Sequence, residues 1–168
     1  MKRYDYYDSP CGRMLLVAEG DALCGAYFVG QKHMREPELG WKPDPRARPL
    51  IQAKRELDEY FGGRRRIFEV ALAAEGTPFQ RAVWKAIARV PFGETISYAE
   101  LARRAGRPGS ARAAGAATGR NPIGVIVPCH RIVGTDGSLT GYAGGVDKKR
   151  ALLAHESGAG SAGHRQAA

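Results

Sequence analysis

Residues 77–122 carry helix starts and stops spaced too closely for anything but a cluster of short helices. Thr77-Pro78-Phe79-Gln80 combines an N-cap threonine, a proline at the first helical position and a glutamine placed to return the cap. The stretch that follows, PFQRAVWKAIARV, turns Phe79, Val83, Trp84, Ile87 and Val90 inward and ends near Pro91-Phe92-Gly93. Ser97-Tyr98-Ala99-Glu100 is a second capping box and opens YAELARRA. After the turn GRPG, Ser110 is placed to cap ARAAGAATG, which stops at Asn121-Pro122. Helix, short glycine-containing turn, helix is the helix-turn-helix pattern.

The first half reads differently. KRYDYYD and RMLLVAE flank the turn SPCG, and Gly20-Asp21 leads into ALCGAYFVG, a β meander. Residues 31–48 are rich in proline, glycine and charge and read as a loop. Pro49 opens a helix with Leu50, Ile51, Leu57, Tyr60 and Phe61 on one face, ended by Gly62-Gly63. RIFEVALA is expected to be a further strand, and AEGT a linker. The last helix is DKKRALLAHE with Asp147 as N-cap, and a disordered tail is expected from Gly158. The expected fold is therefore α/β in the segregated, α+β sense. A small meander-and-helix domain spans residues 1–75, a mainly helical, winged-helix-like domain spans 76–157, and 158–168 form the tail.

Composition narrows the setting. No stretch approaches the about eighteen continuous apolar residues of a membrane span, and the N-terminus lacks the apolar core of a secretion signal. Three well-separated cysteines do not make a disulfide framework, so the expected location is the reducing cytoplasm. The net charge is +9. Between residues 97 and 131 the arginines 103, 104, 107, 112, 120 and 131 face a single acidic residue, Glu100. Such a concentration points to a polyanion, nucleic acid in particular.

That basic stretch ends in VIVPCHRIVG. An apolar strand, IGVIV, brings the chain to Cys129, and Pro128 fixes the turn that would present the thiol. Positive charge beside a cysteine favours the reactive thiolate, and His130 with Glu156 could complete a Cys-His-Glu set. Cys11 and Cys24 read as inert core residues, and His33, His155 and His164 carry no such context. No CxxC or HxxxH spacing supports a metal site. The second helix of the pair offers one long side chain, Arg112, on a rod of alanine and glycine. A helix that reads bases needs Asn, Gln, Arg or Lys along a face, so this one would approach DNA closely with little sequence preference.

PCHRIVG, the upstream NP, the helix-turn-helix and the downstream GYAGG…LLAHE resemble the O6-alkylguanine-DNA alkyltransferases. The match spans about residues 77–156 and extends more loosely over the first half through the SPxG turn. The resemblance implies that Cys129 accepts an alkyl group, His130 relays its proton through a water and Glu156 fixes the histidine. It implies that Arg112 fills the gap left by a flipped nucleotide, with Ala113 and Ile132 among the DNA and substrate contacts. Tyr98 would crowd the target phosphate and bond the flipped guanine, and Asn121 would brace the recognition helix against the cysteine turn. Tyr142 and Ala143 would close over the base. Many members of the family carry serine where this chain has Ala143, and the donor expected there is a backbone N–H. The implied partner is double-stranded DNA carrying O6-alkylguanine, with O4-alkylthymine a second candidate. The protein is expected to act as a monomer with neither cofactor nor metal, and cooperative loading on DNA stays open. Two other classes remain open on the residues alone. One is a non-catalytic helix-turn-helix regulator; the other is a Cys-His hydrolase that turns over repeatedly.

Overall fold

The strand β1 (Lys2–Ser9) pairs antiparallel with β2 (Gly12–Glu19), from Lys2 opposite Glu19 to Ser9 opposite Gly12. β3 (Ala22–Phe28) adds antiparallel to β2, and the two-residue strand β4 (Lys42–Pro43) adds parallel to β1, giving the order β3-β2-β1-β4. The computed structural model describes residues 1–158 of the 168. It divides into two units: Met1–Glu75 with Pro122–Ile126, and Gly76–Asn121 with the chain from Val127.

In the first unit Met14, Leu15, Leu16, Val17 and Ala18 are all buried, because both faces of β2 are covered. Helix α1 (Arg48–Phe61) packs across the three long strands. On another face Leu15, Val17, Cys24 and Tyr27 form a cluster against Tyr4, Tyr6, Met34 and Trp41. Pro49 sits in the first turn of α1, and Leu50, Ala53, Leu57 and Tyr60 make its buried stripe. Ile51, expected on that stripe, is 49% exposed.

RIFEVALA does not form a strand. It meets β3 at one bridge, Leu72 with Leu23, with hydrogen bonds on either side at Ala71 and Ala73. The cause is Glu56, a fully buried carboxylate on α1. It accepts the backbone N–H groups of Glu69 at 2.9 Å and Val70 at 3.1 Å, donors a sheet ladder would otherwise use. IGVIV is not a strand either. Ile123 makes one bridge to Ala26, and Ile126 N–H then bonds back to Gly124 O at 2.7 Å around Val125 at φ 68°. A left-handed φ at a β-branched residue is a strained γ-turn, which the run of apolar side chains does not reveal.

The second unit begins with α2 (Pro78–Ala88), whose capping box is complete: Thr77 accepts from Gln80 N–H, and Gln80 accepts from Thr77 N–H. After β5 (Ile96–Ser97) come α3 (Tyr98–Arg104) and α4 (Ala111–Gly119), the expected helix-turn-helix. Ser97 caps α3, but Glu100 does not return the bond, since Arg103 and Arg104 hold its carboxylate. Ser110 makes no cap bond at all. Trp84 of α2 fixes α4 instead, donating its indole N–H to Ala117 O at 2.8 Å. A single turn of 3-10 helix, Cys129–Arg131, leads into β6 (Ile132–Val133), which pairs parallel with β5. α5 (Val146–Ser157) starts at an N-cap of Gly145, so Asp147 falls inside the first turn. Gly158 closes α5 in the left-handed conformation, and the rest of the expected tail lies outside the described residues. Among the described residues no helix is long and apolar enough to cross a membrane.

The role of Glu56 is open to measurement. Glu56→Ala leaves two backbone donors without their acceptor and should cost about 2–4 kcal/mol in urea unfolding. A loss below about 1 kcal/mol would mean that residues 66–73 are held by something else.

Candidate active site on the helix-turn-helix unit

Pro128, at φ −81° and ψ 65°, centres a tight turn in which Cys129 N–H bonds to Val127 O at 2.8 Å. Asn121, buried at the end of α4, donates its side-chain amide to the same carbonyl at 2.9 Å. The end of the second helix is thereby tied to the turn that holds the cysteine. Cys129 itself is buried at 6% exposure.

His130 and Arg131 both turn inward. His130 is fully buried with Nε2 at 2.7 Å from Glu156 Oε2. Arg131 grips both oxygens of the same carboxylate at 2.8 Å through Nε and Nη2, and donates to Val90 O at 2.6 Å. Burial works against the charge on Glu156, yet the bonds from His130 and Arg131 hold its carboxyl well below the usual range. An ionised Glu156 accepts only, so Nε2 of His130 carries the proton and Nδ1 keeps its lone pair. Nδ1 is the one buried side-chain nitrogen or oxygen, among the described residues, with no hydrogen-bond partner. Burial also pushes the imidazole below its ordinary value, against the pull of Glu156. The site thus holds a neutral histidine with one open acceptor, one residue from the thiol.

The sequence leads one to expect positive charge from His130 and Arg131 at the thiol, and here the structure differs. Arg131 is paired to Glu156 and His130 is neutral. Burial pushes the Cys129 thiol up, while Asn121, Lys149 and Tyr142 pull the other way. Lys149 is the charged neighbour, and sequence reasoning passed over it. One signal was available: Lys149, Leu152 and Glu156 are spaced i, i+3, i+7, and all three are buried on α5.

Tyr98 is half-buried at the start of α3, with its hydroxyl donating to Thr140 O at 3.1 Å. Its ring lies against Gly115 of α4, where an added Cβ would meet it at 3.6 Å. Tyr142 and Ala143 are half-buried in the glycine-rich loop before α5. Arg112 and Ala113 are exposed on α4, and Arg112 makes no ion pair among the described residues. Ala114, Ala117 and Thr118 face the interior. Ile132 is fully buried and pairs with Ile96, so its side chain offers no surface. Of the six arginines between residues 97 and 131, Arg131 is internal, Arg103 and Arg104 pair with Glu100, and Arg107 lies on the Phe79 ring at 4.5 Å. Among the described residues no group of three His, Cys, Asp or Glu side chains could hold a metal ion.

Fold and site together define a protein whose helix-turn-helix unit carries one cysteine beside a buried His-Glu-Arg network. Known proteins share the pattern. Residues 78–158 match the 6-O-methylguanine DNA methyltransferase DNA-binding domain, and residues 2–74 match the ribonuclease-like domain of that methyltransferase. The methylated-DNA–protein-cysteine methyltransferase of Mycobacterium bovis is 47% identical over 154 residues, 91% of each chain. That of Methanosarcina acetivorans is 43% identical over 151 residues, 89% of this chain and 95% of its own. Mycobacterium tuberculosis OGT, solved in complex with DNA, superposes with a TM-score of 0.85 at 45% identity, covering 92% of this chain and 93% of that one. The chain belongs to the 6-O-methylguanine DNA methyltransferase family.

The buried network ties stability to pH. Both His130 and Glu156 bind a proton less readily folded than unfolded, so acid favours unfolding. The loss begins as pH falls past the free imidazole value of about 6.5 and continues through the free carboxylate value of about 4.3. Melting temperature should therefore drop between about pH 7 and about pH 5, and His130→Gln should shallow the drop. A flat profile over that window would contradict the neutral, buried histidine.

Proposed function

We propose that this protein repairs alkylated DNA by moving the alkyl group of O6-alkylguanine onto Cys129, once per molecule. The observation that carries the reading is the open Nδ1 of a buried, Glu156-bound His130 beside a buried cysteine, on a unit matching the family's DNA-binding domain. Nothing in a duplex brings O6 of guanine to such a thiol. The base must be rotated out of the stack, at a cost of a few kcal/mol. On this reading the double-stranded DNA lies along the exposed face of α4, where the small side chains of Ala113 and Ala116 let phosphates approach. Arg112, the long exposed side chain there, occupies the gap left by the extruded base. Phosphate contacts dominate, so affinity depends on salt more than on sequence.

At the site, His130 Nδ1 takes the Cys129 proton, directly or through one water, and Glu156 balances the charge that then develops on the ring. The sulfur attacks the alkyl carbon, the S–C bond forms, and the C–O6 bond breaks with its electrons passing into the purine. A proton from solvent completes the guanine. Tyr98 and the loop bearing Tyr142 and Ala143 hold the base, the backbone N–H at Ala143 serving as donor. Asn121 keeps the cysteine turn in register with α4. The product is a thioether, which nothing in the site is equipped to cleave. Residues 76–157 are proposed to carry DNA binding and transfer, acting in the cytoplasm as a monomer, with residues 1–75 as a separate domain. A regulator would have no use for the relay, and the small-residue face of α4 lacks the side chains that read bases.

Cys129→Ser tests the assignment, because a hydroxyl lacks the acidity and nucleophilicity of a thiol. Transfer should be abolished while affinity for duplex DNA stays within about twofold of wild type. Residual transfer, or an equal loss of DNA binding, would count against Cys129 as acceptor.

A further inference from the structure

Lys149 is fully buried, a rare state for a lysine without a carboxylate partner. Its ammonium has three hydrogens and finds three backbone carbonyls: Ile132 O at 2.6 Å, Thr140 O at 3.3 Å and Gly141 O at 3.2 Å. Ile132 directly follows the Cys129–Arg131 turn, and Thr140 and Gly141 form the corner of the loop just before Tyr142 and Ala143. Thr140 O also accepts the Tyr98 hydroxyl, and the Tyr98 ring centroid lies 5.8 Å from Lys149 Nζ. One cation therefore touches the exit of the cysteine turn, the loop corner and the tyrosine. Burying a charge this way is costly unless every proton finds an acceptor, and here each does.

We propose that Lys149 is a positioning residue whose ammonium ties the Thr140 and Gly141 corner to the end of the cysteine turn and so sets the width of the base pocket. The inference rests on the alkyl-transfer reading and assigns to it a residue that the relay does not use. Gly141 lies at φ 61°, so the corner turns sharply enough to present its carbonyl alongside that of Thr140. A side chain without N–H donors would leave three inward carbonyls without a shared donor and let the corner move away from Cys129. The same charge faces the thiol from α5, while Tyr98 faces it from α3, Asn121 from the end of α4 and Tyr142 from the loop. Loss of the ammonium therefore has a second signature, a thiol that ionises at higher pH.

The experiment compares wild type, Lys149→Met and Lys149→Gln by single-turnover transfer from free O6-methylguanine and from a methylated duplex. It also follows affinity for unmodified duplex, melting temperature, and iodoacetamide labelling of the Cys129 peptide against pH. Lys149→Met should raise the half-saturating concentration of free base by about tenfold or more, with unmodified-duplex affinity within about twofold of wild type. Its labelling midpoint should move to higher pH. Lys149→Gln, which keeps neutral N–H donors, should lose less in base affinity yet show the same displaced midpoint. If Lys149→Met melts below the assay temperature, Lys149→Gln carries the test alone. Wild-type base affinity and an unmoved midpoint in a folded variant would overturn the proposal, as would equal loss of unmodified-duplex binding. Failure of the wild type itself to transfer would instead strike the alkyl-transfer reading.

Discussion

The carboxylate of Glu156 is the point on which the second unit depends. It lies on α5, yet it fixes His130 and Arg131 of the cysteine turn, and through Arg131 the carbonyl of Val90 beyond α2. Removing one partner of a buried pair typically costs about 3–5 kcal/mol, because the other charge is left uncompensated. The paired oxygens of a carboxylate match the fork of a guanidinium, which is why an arginine and not a lysine suits this place. Arg131 also has a chemical consequence. By neutralising Glu156 it limits how far that carboxylate can raise the proton affinity of His130, and the imidazole stays neutral. The same contact that closes the fold therefore keeps His130 in the neutral form that the proposed relay needs.

A second constraint concerns the chain around the thiol. Val127 O accepts two donors, Cys129 N–H within the turn and the Asn121 amide from the end of α4. A displacement of α4 is felt at the cysteine through that oxygen. Trp84 holds α4 from its other side by bonding Ala117 O. The alanines of α4 thus have two duties. Ala114 and Ala117 let the helix pack closely, and Ala113 and Ala116 leave the outer face low.

Much of this architecture is legible in the residues because its signals are local. Thr77 and Gln80 specify a helix start through bonds within four residues, and the capping box forms as expected. The β meander and the helix-turn-helix rest on equally short-range patterns. The errors fall where a distant group or the backbone conformation itself overrides the side-chain pattern. Residues 66–73 look like a strand until the buried Glu56 claims their donors, and residues 123–127 look like one until Val125 adopts a positive φ. Ser110 has the right side chain for a cap but sits at ψ 43°, outside the extended conformation that caps require. Cys129 and His130 were legible as a pair from their neighbours. Arg131 and Lys149 were not, since both look like ordinary surface cations until burial reveals them as internal donors.

The central claim is that one chain accepts one alkyl group and stops. Intact-mass analysis of limiting protein incubated with excess O6-methylguanine duplex addresses it directly. A thioether carbon is a poor electrophile, so the account predicts a gain of about 14 Da on the peptide bearing Cys129, with at most about one base repaired per chain. Unchanged protein mass with repair continuing past one equivalent would contradict it, and would favour a hydrolase that regenerates its cysteine.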